Sequence, residues 1–309
     1  MADYAQILAL VERYDRAIDG LEQQVIDRVN AALDASFREL EQELRRTYPQ
    51  LQDEGGLYNF VLKTEKFNQL KGLLDEILPP RWQADIEALY TEAFQLASDT
   101  GIDLAGNLVE QIDPAYPLDP FSGIPVEAIA AQARDGVKRL YRYNDTFAQR
   151  ASAIVELGLA QGHGTAKVAA ELGRELGLAK SKAETIARTE IISVFSDSAD
   201  ARYLAADIGF FQWLVNPSEG TCILCYARNG RVYKVGAVRI PAHPRGRCFK
   251  LPWRREWQQK GLTDDKWLRE YRQRGLEELK TEGFKPDYGP TYWEKKAGMD
   301  KAPEVIWSP

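Results

Sequence analysis

From Tyr4 to Tyr48 an apolar side chain returns every three or four residues, at Tyr4, Ile7, Val11, Tyr14, Ile18, Leu21, Val25, Val29, Leu33, Phe37, Leu40, Leu44 and Tyr48. That spacing follows the 3.6-residue turn and predicts one long helix, or a helix pair, over residues 3–48. The first half alternates threes and fours, as a coiled-coil seam does; the second half steps mainly by fours, so the stripe drifts around the axis. No proline precedes Pro49, and Gly20 is a mild weakness of about 1 kcal/mol relative to alanine. A stripe of this length needs a partner helix, from this chain or from another copy.

Further along, Asp53-Glu54-Gly55-Gly56 marks a turn within Leu51–Leu57. A second helix is expected over Phe60–Ile77, stopped by Pro79-Pro80, and a third over Trp82–Ser98, ending near Gly101. Residues 102–125 carry prolines at 114, 117, 120 and 125 and read as a linker, the best boundary in the chain. From Val126 the helical pattern returns almost to Gly209, with breaks expected at Gly158–Gly164 and Gly173–Ala179. Thr165 reads as an N-cap, and Ser181 with Glu184 as a capping box opening a helix from Lys182 to Ile208. After Gly209 the texture changes. Phe210–Val215 is aromatic and β-favouring, and Asn229-Gly230 is a turn signal for a hairpin between Tyr226 and Val232-Tyr233. A last helix is expected over Asp264–Glu282, followed by an extended tail that docks on something.

The fold class expected is therefore mainly α: long N-terminal helices, then a helical domain ending in a small β-hairpin module. The organisation expected is an N-terminal helical region at 1–101, the linker at 102–125, a domain at 126–252 and a charged, aromatic C-terminal helix and tail at 253–309. No apolar run approaches the roughly 20 residues that span a bilayer, and the N-terminus lacks a basic start before an apolar core, so neither membrane nor secretory export is expected.

Charge sharpens the picture. Residues 222–274 hold 14 Lys/Arg against 4 Asp/Glu, whereas residues 1–221 hold 21 against 35. A basic segment on an acidic chain meets either nucleic acid, an acidic partner, or the protein's own acidic helices. Arg228, Arg231, Lys234, Arg239, Arg245 and Arg247 are its candidate contacts with DNA or a partner.

That segment also holds four of the chain's five cysteines and histidines. Cys222, Cys225, His243 and Cys248 form C-x2-C-x17-H-x4-C within 27 residues, and only His163 lies elsewhere. Three thiolates and an imidazole make the ligand set of a closed tetrahedral zinc site, and a small module with little core is commonly stapled this way. With all four positions filled by protein the site is structural, not catalytic. Three cysteines, an odd number, argue against a disulfide framework. A thioredoxin-like role is set aside because C-x2-C is followed here by a turn rather than opening a helix in a βαβ unit.

Upstream, Arg188-Thr189-Glu190 lies in a helical stretch. Glu190 has no basic residue at helical spacing, so its partner is expected from the basic module, at Arg245 or Arg247. We read Arg188, Thr189 and Glu190 as clasp residues fixing the helix to the module. No nucleophile accompanies them, and no Gly-rich phosphate loop, G-x-S-x-G or H-E-x-x-H is present, so no catalytic residue is assigned.

Taken in order, I-A-R-T-E-I-I-S-V-F-S-D-S-A-D-A-R-Y-L-A, Trp213, C-x2-C, G-R-V-Y and P-A-H-P-R-G-R-C resemble the head-morphogenesis (minor capsid) family typified by the F protein of phage Mu. The resemblance covers roughly Val126 to Pro252. The family's terminal C-R-C reads Gly246-Arg247-Cys248 here, leaving four candidate ligands. The resemblance implies a virion protein near the portal vertex, made in few copies, homo-oligomeric or multi-copy in the particle, and assembled in the host cytoplasm. It would contact portal or major capsid protein, and DNA, during head assembly, packaging or delivery. The alternative is a DNA-binding or metal-dependent DNA-processing enzyme, or the head domain of a phage-borne toxin. The 57 residues after Pro252 are short for an added enzyme domain.

Overall fold

The computed structural model describes residues 4–52, 65, 67–72, 74–75, 83–215, 222–281 and 302–308. The chain is mainly helical, with one small antiparallel sheet. In order its elements are α1 (Tyr4–Gln52), α2 (Gln83–Ile112), α3 (Val126–Ala160), α4 (Thr165–Ala205), β1 (Phe210–Val215), α5 (Ile223–Arg228), β2 (Val232–Lys234), β3 (Cys248–Trp253), α6 (Arg255–Gln259) and α7 (Asp265–Thr281). The turn expected near Gly55 and much of the helix expected over Phe60–Ile77 lie outside the described residues. Residues 65, 67–72 and 74–75 within the latter are helical.

Two compact units make up the chain. One comprises Met1–Glu22, Ala93–Ile129 and Arg188–Pro309; the other comprises Gln23–Glu92 and Ala130–Ala187. The second is all-helical among the described residues. Val25, Val29, Leu33, Leu40, Leu44 and Tyr48 of α1 are buried there, as are Val137, Leu140, Val155, Val168 and Leu172 of α3 and α4. The turn between α3 and α4 closes as a Schellman motif: Gly162 takes φ +66, the His163 N–H reaches the Gly158 carbonyl at 2.8 Å, and the Gly162 N–H reaches that of Leu159. Thr165, expected as a cap, is instead the first helical residue.

The other unit holds the sheet. Its order is β2-β1-β3, with both neighbours antiparallel to β1: Phe211 faces Tyr233 on one side and Pro252 on the other. β3 is buried at all six positions and β1 at five of six, so these strands are covered on both faces, and each is apolar but for one buried polar residue, Gln212 in β1 and Lys250 in β3. α4 supplies part of that cover. Phe195 meets Phe249 edge-on at 5.9 Å, the Tyr203 hydroxyl donates to the Lys250 carbonyl at 2.8 Å, and Lys250 Nζ donates to Asp200 at 2.6 Å. The C-terminal segment lies on the outer edge of β2, where Ile306 and Trp307 exchange backbone bonds with Val232 and Trp307 stacks on Trp253 at 5.9 Å.

Several sequence expectations need correction. α2 does not end near Gly101 but continues to Ile112, burying Leu104, Ala105, Leu108 and Val109. Gly101 marks a close approach: a Cβ there would run into the Phe195 carbonyl oxygen of α4. The proline-rich stretch is correspondingly shorter, Asp113–Pro125, and is tied down by Trp257 to Asp113 and Arg202 to the Asp119 carbonyl. No break occurs at Gly173–Ala179, and Ser181 does not cap a helix: its carbonyl accepts Thr185 Oγ1 mid-helix. Two glycines at about 1 kcal/mol each are outweighed by the buried row Leu172, Leu176, Ala179, Ala183 and Ala187. Finally, Tyr226 is not in a strand. The Asn229-Gly230 turn forms, with Gly230 at φ +79, but it joins α5 to β2, and β2 pairs with β1.

Candidate metal centre

Cys222 is the N-cap of α5, with extended backbone at φ −76 and ψ 155, and its carbonyl accepts the N–H groups of Cys225 and Tyr226. One helical turn therefore brings both thiols to the same side. C-x2-C does open a helix, against the expectation that a turn follows directly; yet β1 and β2 on either side are antiparallel, so no βαβ unit surrounds it. α7 holds α5 from outside: Asn229 reaches the Leu268 carbonyl, Tyr226 and Tyr271 meet edge-on at 6.0 Å, and Gly275 leaves room for the Tyr226 ring.

His243 arrives from the loop between β2 and β3. Its Nε2 lies 3.2 Å from Cys222 Sγ and 3.5 Å from Cys225 Sγ, and the ligand atoms of the three residues lie within 4.8 Å of one another. A tetrahedral zinc, with Zn–S about 2.3 Å and Zn–N about 2.0–2.1 Å, separates sulfur from nitrogen by roughly 3.6 Å. The spacing fits. His243 Nδ1 faces the Pro244 carbonyl at 3.0 Å, which leaves Nε2 to turn toward the thiols. These residues can hold a metal ion. Cys248 opens β3, is buried, and raises the Cys225 thiol's pKa through a hydrogen bond, but it stands outside the group that closes within 4.8 Å. Gly246 belongs to the same wall: a Cβ there would lie 3.1 Å from the His243 carbonyl and 3.3 Å from its ring.

Without metal the cluster shares its protons unevenly. A hydrogen bond with Cys225 first, and one with His243 after it, lower the Cys222 thiol to about 4 against the effect of burial. Its bond to Cys222 raises His243 to about 9, and Cys225 is pushed well above the usual thiol range, first by its bond to Cys222. The shifts favour the thiolate at Cys222, the form a metal takes, and the protonated forms at Cys225 and His243, so metal binding is coupled to proton release.

The loop is anchored to α4 and α1. The Arg245 N–H donates to Thr189 Oγ1 at 3.3 Å, and Arg239 donates to Ser193 Oγ at 3.1 Å. Arg247, expected as a partner for Glu190, turns to α1 instead. Its Nη1 reaches Asp15 at 2.9 Å, and its Nη2 reaches Asp19 at 2.6 Å and Glu22 at 2.5 Å. Arg188 Nε lies 3.9 Å from Glu22. Glu190 is half-buried on α4, one residue from Thr189. Sequence reasoning misses the three α1 carboxylates. Their signal is a spacing of i, i+4, i+7, which puts Asp15, Asp19 and Glu22 in one row beside the apolar stripe.

The remaining basic candidates separate by exposure. Arg228, 2% exposed, lies over the Trp213 ring and is not presented to an outside partner; Arg247 is taken up by α1. Arg231 is half-buried, while Lys234, Arg239 and Arg245 are exposed. Part of the basic segment therefore meets the protein's own acids, with Lys250 on Asp200 as the buried example. No described helix is long and apolar enough to cross a membrane. Compared with known proteins, the chain matches no family model, no curated protein and no solved structure.

Proposed function

We propose that this chain is a minor head protein of a bacteriophage, a virion component near the portal vertex that works through contacts rather than turnover. The observation that carries this reading is the joint placement of its motifs. The A-R-T-E helix meets the P-A-H-P-R-G-R-C loop through Thr189 and Arg245, while that loop returns His243 to the C-x2-C thiols. Motifs that are individually weak in the sequence thus serve one construction, a helix clasped to a metal-binding knuckle. In this reading the ion is zinc, in a structural role, with Cys222, Cys225 and His243 as ligands and Cys248 completing the tetrahedron from β3. Portal or capsid protein is the partner. Lys234, Arg239 and Arg245, the exposed members of the basic set, are the candidate contacts with DNA, binding phosphates in a salt-dependent manner.

Metal analysis of chain purified without chelator is expected to give one zinc per chain, lost in Cys222→Ser and reduced in Cys248→Ser. Co-expression with its phage's portal protein is expected to yield a complex. Metal-free wild type would remove the zinc reading, and recovery of free chain alone, never with portal or procapsids, would remove the head-protein reading. Cleavage of DNA by the metal-loaded chain, abolished by Glu190→Gln, would favour the enzyme alternative.

A further inference from the structure

The loop that delivers His243 and Cys248 has no regular structure of its own between Lys234 and Cys248, so something else must fix it. The strongest anchor is Arg247, the neighbour of Cys248. Its guanidinium meets three carboxylates of α1, and one of them, Glu22, is only 1% exposed. Exposed ion pairs contribute little, but a buried carboxylate is costly unless paired. An apolar side chain at position 22 would fill that space at lower cost, and helix formation does not require an acid there. The buried acid is explained by the residue it holds. The contact spans 225 residues of sequence and ties the first half of α1 to the residue beside a candidate ligand.

We propose that Arg247, gripped by Asp15, Asp19 and Glu22, is a positioning residue for the metal centre, so that metal occupancy and the docking of α1's first half form one linked equilibrium. This rests on the metal reading above. Linkage is reciprocal: whatever α1 docking adds to metal affinity, metal adds to α1 docking. Groups hydrogen-bonded to metal ligands commonly change affinity 10- to 100-fold when removed, and Arg247 acts on Cys248 through the backbone the two neighbours share.

The test uses the full chain at pH 8, with Zn(II) and with Co(II) as a spectroscopic probe. Chelator competition is run on wild type, Arg247→Gln, Glu22→Gln and a control, Tyr48→Phe, which loses a bond to the His163 carbonyl in the other unit. Affinity is expected to fall roughly 10- to 100-fold in the first two variants and to stay unchanged in the control. Amide exchange in residues 4–22 is expected to quicken when wild type is stripped of metal. Wild-type affinity in Arg247→Gln and Glu22→Gln, with helix content intact, overturns the proposal, as does exchange in residues 4–22 indifferent to metal. If Arg247→Gln does not fold, Glu22→Gln decides. A wild type that takes up no metal removes both this proposal and the metal reading; metal bound equally well by wild type and variants removes this proposal alone.

Discussion

Glu22 shows how one side chain ties stability to pH. Burial raises its carboxyl pKa from 4.5 to about 7, against the pull of Arg247 and Arg188. In the unfolded chain it ionises near its ordinary value, so between roughly pH 4.5 and 7 the folded chain holds a proton that the unfolded chain has lost. The stabilisation linked to this group is fully present below about 4.5 and is lost as pH rises through about 7. Denaturant unfolding at pH 5 and pH 8 measures it. Glu22→Gln is expected to shrink the difference between the two pH values by roughly 3 kcal/mol. A variant with the wild-type pH dependence would show that Glu22 is not the group responsible.

At the scale of elements, close approach of helices sets the tightest constraint. Gly101 faces the backbone of α4 at Phe195, and nearby Ser198 donates to Ser98 at 3.0 Å. Alanine would raise helix propensity by about 1 kcal/mol, but its Cβ would meet a carbonyl that cannot swing aside. Gly101→Ala is therefore expected to destabilise by about 1–3 kcal/mol net, read as a lower thermal midpoint; an unchanged or raised midpoint would contradict the packing described. The same glycine explains why the sequence misplaces the end of α2. There it resembles a helix stop, and only the neighbouring helix reveals that it is a contact. α1, by contrast, is legible throughout, because ten of its thirteen periodic apolar positions are buried and the other three half-buried. The strand Phe210–Val215 and the last helix are legible for similar reasons of composition and period. At the metal centre the ligand types and spacing can be read directly. The carboxylates that hold Arg247 cannot, because a charged residue on a helix is ordinarily solvated, and the segment that decides its burial here lies 225 residues away.

At the scale of the chain, the sheet and Cys/His loop belong to the same compact unit as the first 22 residues and the end of α2. A fragment starting at Val126 contains every motif of the family resemblance yet lacks Asp15, Asp19, Glu22 and the buried row of α2. It is expected to be poorly packed, with weak near-ultraviolet dichroism and fast amide exchange, whereas the full chain is not. A fragment with a well-dispersed spectrum and full metal affinity would show that the module stands alone. The separation between Arg247 and its acids also has a consequence on the ribosome. Synthesis at about 5–20 residues per second leaves roughly 10–45 s between the emergence of α1 and that of its arginine. Throughout that interval a newly made helix carries an unmatched acidic row beside an uncovered greasy seam. Nascent-chain binders, or a neighbouring chain made from the same message, have their best opportunity to seize it then.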